Sequence, residues 1–202
     1  MPKVEMSDRD GHRALERLLA GNRRYVTSKQ KRPNLTPERR LELKAGQDPF
    51  AVILGCSDSR VAPEIIFDQG LGDLFIVRVA GNVAEDDMVL GSIEYAVSHL
   101  KTPLVVVLGH SHCGAVSATL SSHGPLPGRL GRVAEAIQPA INRVIELPGD
   151  TLDRASRANA EMVAERLRKS KPILCDSVEA GMLTVAAAYY HLSSGSVEIL
   201  SQ

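Results

Sequence analysis

Two short polar clusters carry the residue types from which a reactive metal centre is built: Cys56-Ser57-Asp58-Ser59-Arg60 and, far downstream, His110-Ser111-His112-Cys113. Thiolate sulfur and imidazole nitrogen are preferred zinc donors. Two cysteines with one histidine make a three-ligand set that leaves a fourth position open, which is the arrangement of catalytic sites, not structural ones. His110 and His112 compete for the imidazole role; residues three apart share a face as a chain enters a helix, so His110 is favoured beside Cys113. Asp58 and Arg60 stand two and four residues after Cys56. A guanidinium fork can hold that carboxylate bidentately, aimed to accept a hydrogen bond from zinc-bound water and so select its hydroxide form. The plainer readings are an exposed ion pair worth under ~1 kcal/mol and two small buried thiols. Against them stands the placement of each cluster directly after a dense apolar run.

Those runs, Ala51 to Gly55 and Leu104 to Gly109, are short, rich in Val, Ile and Leu, and do not alternate, as expected of strands buried on both faces of a parallel sheet. The clusters then fall at strand carboxyl ends, the ligand-binding edge of open α/β sheets. Further strands are predicted at Leu74 to Val79 and Met182 to Tyr190, with a last one, Val197 to Leu200, antiparallel at an edge after the Ser193-Ser194-Gly195 turn. Helical spacing predicts Asp8 to Ser28, Thr36 to Ala45, a turn or two from Pro63, Met88 to Leu100, Gly114 to Ser121, Arg132 to Ile145 interrupted by Pro139, and Leu152 to Ser170. The fold class is α/β: a mostly parallel central sheet of four strands with an antiparallel edge strand, helices on both faces. Residues 1–202 are read as one domain, a helical arm at about 8–45 and a core at about 50–202. The first helix has few apolar residues for its length and is expected to extend onto a partner subunit instead of its own core.

At 202 residues and 44% hydrophobic content the chain can bury a full core. Its formal net charge of zero and lack of a basic block exclude nucleic acid as an expected partner. No run approaches a membrane span and the first residues lack an apolar signal core, so a cytoplasmic location is expected. Three cysteines, an odd number, suit reduced thiols or metal ligands; Cys175 has only Asp176 as a ligand-type neighbour and is read as structural.

Four ordered motifs, CSDSR, RVAGN (Arg78 to Asn82), IEYAVSHL (Ile93 to Leu100) and GHSHCGAV (Gly109 to Val116), together resemble the β-class carbonic anhydrases. The likeness begins at about Leu15 and runs to the final strand. It implies a zinc enzyme, one ion per subunit, that hydrates carbon dioxide reversibly to bicarbonate and a proton. It carries the ligand roles onto Cys56, His110 and Cys113, and the orienting dyad onto Asp58 and Arg60. Gln47 and the Gly114 backbone N–H match hydrogen-bond donors of the substrate pocket. Phe75, Ala80 and Tyr95 match its apolar wall, partly lent by a partner subunit. A homo-oligomer, dimer or tetramer, is implied.

A subset of the family carries tryptophan three residues before the first cysteine, in a non-catalytic bicarbonate site; here the residue is Ile53, so that inhibitory pocket is expected to be absent. Family members also differ in whether the dyad aspartate becomes a fourth ligand in a closed state, a role open to Asp58. The same scaffold could hydrolyse carbon disulfide or carbonyl sulfide instead. A non-catalytic zinc module would need a fourth protein ligand, and only Asp58 is near.

Overall fold

The computed structural model describes residues 10–202. A five-stranded sheet of order β2-β1-β3-β4-β5 is built from β1 (Ala51–Cys56), β2 (Leu74–Val79), β3 (Leu104–His110), β4 (Thr184–Tyr190) and β5 (Val197–Ser201). The first four strands are mutually parallel and β5 runs antiparallel to β4. From β1 the chain steps outward to β2, then crosses back to lay β3 on the other side of β1. Between β1 and β3 the strand order reverses, and such a switch point opens a crevice at the carboxyl ends.

Helices cover both faces. Val52, Leu54, Val105, Val107, Val185 and Ala187 point to one core, packed under α4 (Asp87–Ser98), α7 (Thr151–Lys169) and α8 (Ile173–Glu179). Their neighbours Ala51, Ile53, Leu104, Val106, Leu108 and Ala186 point the other way, onto α1 (Gly11–Val26) and α3 (Pro63–Ile66). Period-two alternation between two buried faces explains why β1 and β3 read as unbroken apolar runs. A third cluster joins α5 (Gly114–Leu120), α6 (Leu130–Val144) and α7 through Val116, Ile137, Ala140, Ile141, Ala155 and Ala158, and it includes Cys56 and Cys113. The sulfur side of the crevice is therefore lined by packed helix. A short α2 (Pro37–Glu42) is capped by the Thr36 side chain accepting from Arg39 N–H and continues as a tighter turn to Ala45. No helix among the described residues is long and apolar enough to cross a membrane.

Two expectations are corrected and one helix is added. Helix α1 lies on its own sheet: Ala14, Leu15 and Leu18 are buried there, Leu18 completely. Close approach compensates for its sparse apolar stripe. A Cβ at Gly21 would fall 1.8 Å from the Phe67 carbonyl oxygen, and Asn22 reaches through the gap to the carbonyls of Ile66 and Gly195 and to Val197 N–H. The predicted start at Asp8 lies outside the described residues. Helix α6 runs unbroken through Pro139, because Pro139 and Glu135, whose carbonyl loses its partner, both face solvent. Helix α8, between Pro172 and Gly181, was not expected, since its seven residues are too few to show a period.

Candidate active site

Cys56 is the last residue of β1 and His110 the last of β3, on adjacent strands; Cys113 caps the start of α5. Backbone geometry alone thus brings three residues distant in sequence to one edge. Their donor atoms, two sulfurs and an imidazole nitrogen, lie within 4.8 Å of one another, and all three residues are buried. Tetrahedral zinc with bonds of about 2.0–2.3 Å wants its donors about 3.5–3.8 Å apart, so small side-chain movements would suffice.

The imidazole is oriented for ligation. His110 Nδ1 lies 2.9 Å from the Ser111 carbonyl oxygen, which can only accept, so the ring proton sits on Nδ1. Nε2 is left with a lone pair, fully buried and without a hydrogen-bond partner. An orphaned buried acceptor beside two sulfurs fits the role of a metal ligand. Ser111 is fixed in turn, its N–H on the Tyr190 carbonyl and its hydroxyl accepting from Leu192 N–H.

Electrostatics around the sulfurs point the same way. The Cys56 thiol is pushed down, chiefly by a hydrogen bond from Cys113, with the Gly81 N–H adding to it at 3.3 Å. The Cys113 thiol, the donor in that pair, is pushed up by the same bond and by burial, against backbone N–H groups of Val116 and Ala115 at the helix start. Metal binding would remove the shared proton and leave two thiolates.

Asp58 sits beside this cluster, its Oδ2 4.0 Å from His110 Nε2. Arg60 grips both carboxylate oxygens, Nε to Oδ1 at 2.9 Å and Nη2 to Oδ2 at 2.7 Å, and its backbone N–H adds a third bond to Oδ1. This guanidinium holds the carboxyl well below the usual carboxylate range. Arg60 also donates to the His112 carbonyl, tying the first cluster to the second. His112 takes a left-handed backbone (φ 53°) and is exposed, so it supplies a carbonyl and not an imidazole.

Arg78 was singled out by its motif but given no role. From the end of β2 it donates to the carbonyls of Cys56 and Asp58, at 3.0 and 2.6 Å, and so shapes the loop that carries both. Its position at a strand end beside Cys56 was the available signal. Gly81 was also missed, because a backbone N–H leaves no trace in sequence.

The expected pocket residues divide in two. Ala80 follows β2 directly and Gly114 opens α5, both exposed beside the cluster. Phe75, Tyr95 and Gln47 are not brought to it within one chain. Phe75 pairs with Val52 while Cys56 pairs with Val79, so four residues, roughly 13 Å of strand, separate Phe75 from the crevice. Tyr95, with its ring centroid 6.3 Å from that of Phe75, shares that remoteness. Gln47 precedes Pro49 and Phe50, which are bonded to Thr102 and Asp73 at the opposite edge of the sheet. A cleft of about 1050 Å³ between α6, α7 and Glu85-Asp86 contains none of the expected site residues. Cys175 lies on α8, its thiol donating to Glu179, away from the crevice.

Comparison with known proteins agrees with this geometry. Residues 51–197 match the sequence profile of the family described as carbonic anhydrase. A carbonic anhydrase of Mycolicibacterium smegmatis is 42% identical over 191 residues, covering 93% of this chain and 92% of the relative. Carbonic anhydrase 2 of Mycobacterium tuberculosis is 45% identical over 188 residues, covering 90% and 89%. Among solved structures, a tetrameric β-carbonic anhydrase of the ascomycete Sordaria macrospora superposes with a TM-score of 0.76 at 26% identity, covering 93% of this chain and 97% of the other. With matched sequence, matched sheet and a sulfur-imidazole cluster at its switch point, the chain belongs to the carbonic anhydrase family, in its β class.

Proposed function

We propose that this carbonic anhydrase hydrates carbon dioxide reversibly to bicarbonate and a proton, with one zinc ion per subunit held by Cys56, His110 and Cys113. The observation that carries the reading is the buried, partnerless Nε2 of His110 converging with two sulfurs within 4.8 Å beside a clamped carboxylate. Bound there, zinc supplies the Lewis acidity that brings a ligated water to a pKa of about 7 and so provides a nucleophile at neutral pH.

The chain's own residues do the positioning. Asp58 accepts the hydrogen bond of the attacking water and turns its lone pair toward the substrate. Both carboxylate oxygens are already engaged by Arg60, which supports this orienting role over that of a fourth ligand. Ala80 offers an apolar surface to a nonpolar substrate, and the Gly114 N–H a donor for the charge that develops on the product. Gln47, Phe75 and Tyr95 serve the site of a neighbouring subunit, so the working unit is a homo-oligomer, dimer or tetramer. Among the described residues no strand pairs with the outer edge of β2, on which Phe75 lies, and this supports that arrangement.

The test is stopped-flow carbon dioxide hydration by zinc-replete protein beside Cys56→Ala, with bound zinc measured in both. Activity that rises with pH in the first and is lost with the metal in the second is expected. Stoichiometric zinc without hydration from about pH 6.5 to 9 would overturn the proposal, since the zinc-activated nucleophile is populated in that window.

A further inference from the structure

We infer that Asn159 is a positioning residue for the metal-ligating sulfur of Cys56, acting through the backbone of Gly81; the inference rests on the zinc reading above.

Gly81 is buried in a left-handed conformation (φ 71°, ψ 15°), and Asn82 after it is left-handed too (φ 46°). A side chain there would be strained by the positive φ and would push on Ile137, whose Cδ1 would stand 2.7 Å from a Cβ on Gly81. Glycine has the widest backbone freedom of any residue, so something outside the turn must set where its N–H points. Its two polar groups are fixed at opposite ends. The N–H donates to Cys56 Sγ at 3.3 Å, and the carbonyl accepts from Asn159 Nδ2 at 2.8 Å.

Asn159 is itself held in place. It is 2% exposed, on α7, and the adjacent Ala160 packs against β3 at Gly109, where an added Cβ would meet Ala160 Cβ at 3.0 Å and the Ser156 carbonyl at 3.1 Å. Gly109 immediately precedes His110. One helix is thus seated hard against the strand that carries the imidazole ligand, and from that seat it clamps the turn that donates to a sulfur ligand. An N–H bonded to a thiolate draws charge from the sulfur and fixes its direction, and outer partners of this kind change metal affinity by about 10–100-fold when removed.

Asn159 could instead do no more than satisfy a buried carbonyl, and the experiment separates the two. Asn159→Ala and the similarly sized Asn159→Leu, neither of which carries a donor, are compared with the wild type and with Ser156→Ala. Ser156 is a buried control one turn away whose hydroxyl bonds only within α7, to the Leu152 carbonyl. Zinc release is followed with a chromophoric chelator, and the thiolate-to-metal charge-transfer band is recorded on the cobalt(II)-substituted proteins. Both Asn159 variants should release zinc about 10–100-fold faster and shift the band to lower energy, the sulfur having lost its donor, while Ser156→Ala changes neither. If Asn159→Ala does not fold, Asn159→Leu carries the test. Wild-type band and release rate in the Asn159 variants, even with lowered thermal stability, would make Asn159 merely structural and overturn the inference. A wild type that shows no thiolate band dependent on Cys56 would overturn the zinc reading, and this inference with it.

Discussion

Replacing Asp58 with asparagine keeps the size of the side chain and removes its charge. In the folded protein Oδ1 accepts from Arg60 N–H and Nε, and Oδ2 accepts from Nη2. An amide has one acceptor and one donor end, so whichever way it turns, an NH2 faces an N–H of Arg60. The guanidinium, with 53% of its side chain exposed, can relax into water, and an ion pair of this exposure contributes little to stability. Loss of the acceptor for the attacking water costs more. A positioned proton acceptor is worth about 10²–10⁴ in rate, or roughly 3–5 kcal/mol of barrier. Asp58→Asn should therefore bind full zinc, melt close to wild type and lose about 10²–10⁴ of kcat in stopped-flow hydration. The small stability deficit has a defined pH dependence. Because the folded pKa of Asp58 lies below its unfolded value, the contribution of the carboxylate is fully present above about pH 4 and fades as pH falls further. Melting of metal-free wild type and variant should differ by a constant amount from pH 5 to 8 and converge below pH 4. Full zinc with kcat within a factor of about three of wild type would refute the reasoning, since it leaves no room for a proton acceptor at Asp58.

Leu18→Ala removes a fully buried side chain of α1 and should cost about 2–5 kcal/mol in urea unfolding; a cost near zero would mean that α1 does not belong to its own core. Gly81→Ala forces a side chain into a left-handed turn 2.7 Å from Ile137, a loss of about 1–3 kcal/mol accompanied by weaker zinc retention, read by thermal melting and metal content. Co-expressed Cys56→Ala and Gln47→Ala chains should regain activity that neither shows alone. Random pairing leaves about one site in four with both residues intact if Gln47 serves the neighbour's site. Failure to exceed the mean of the parents would place Gln47 outside that role.

Much of this protein is written in local sequence. Dense Val, Ile and Leu runs mark β1 and β3, turn residues mark their ends, and the polar clusters that follow must then sit at the carboxyl edge. The zinc-donor residue types and the Asp58-Arg60 spacing are equally local, so the proposed chemistry could be framed before the fold. What depends on side chains meeting across the chain could not. Arg78 holds two carbonyls of a different strand's loop, and Asn159 reaches a turn distant in sequence. Neither contact has a period or a neighbour to announce it. Helix α1 looked too polar for its own core because a hydrophobic count does not register how closely Gly21 lets two backbones approach. Register settled the rest. Phe75 and Val79 lie in the same short strand, yet pairing with β1 puts one beside Val52 and the other beside Cys56. The sequence alone determined which atoms could do the chemistry, because residue type and strand-end position are short-range properties; strand pairing and helix seating, which are long-range, decided which of those atoms meet inside one chain.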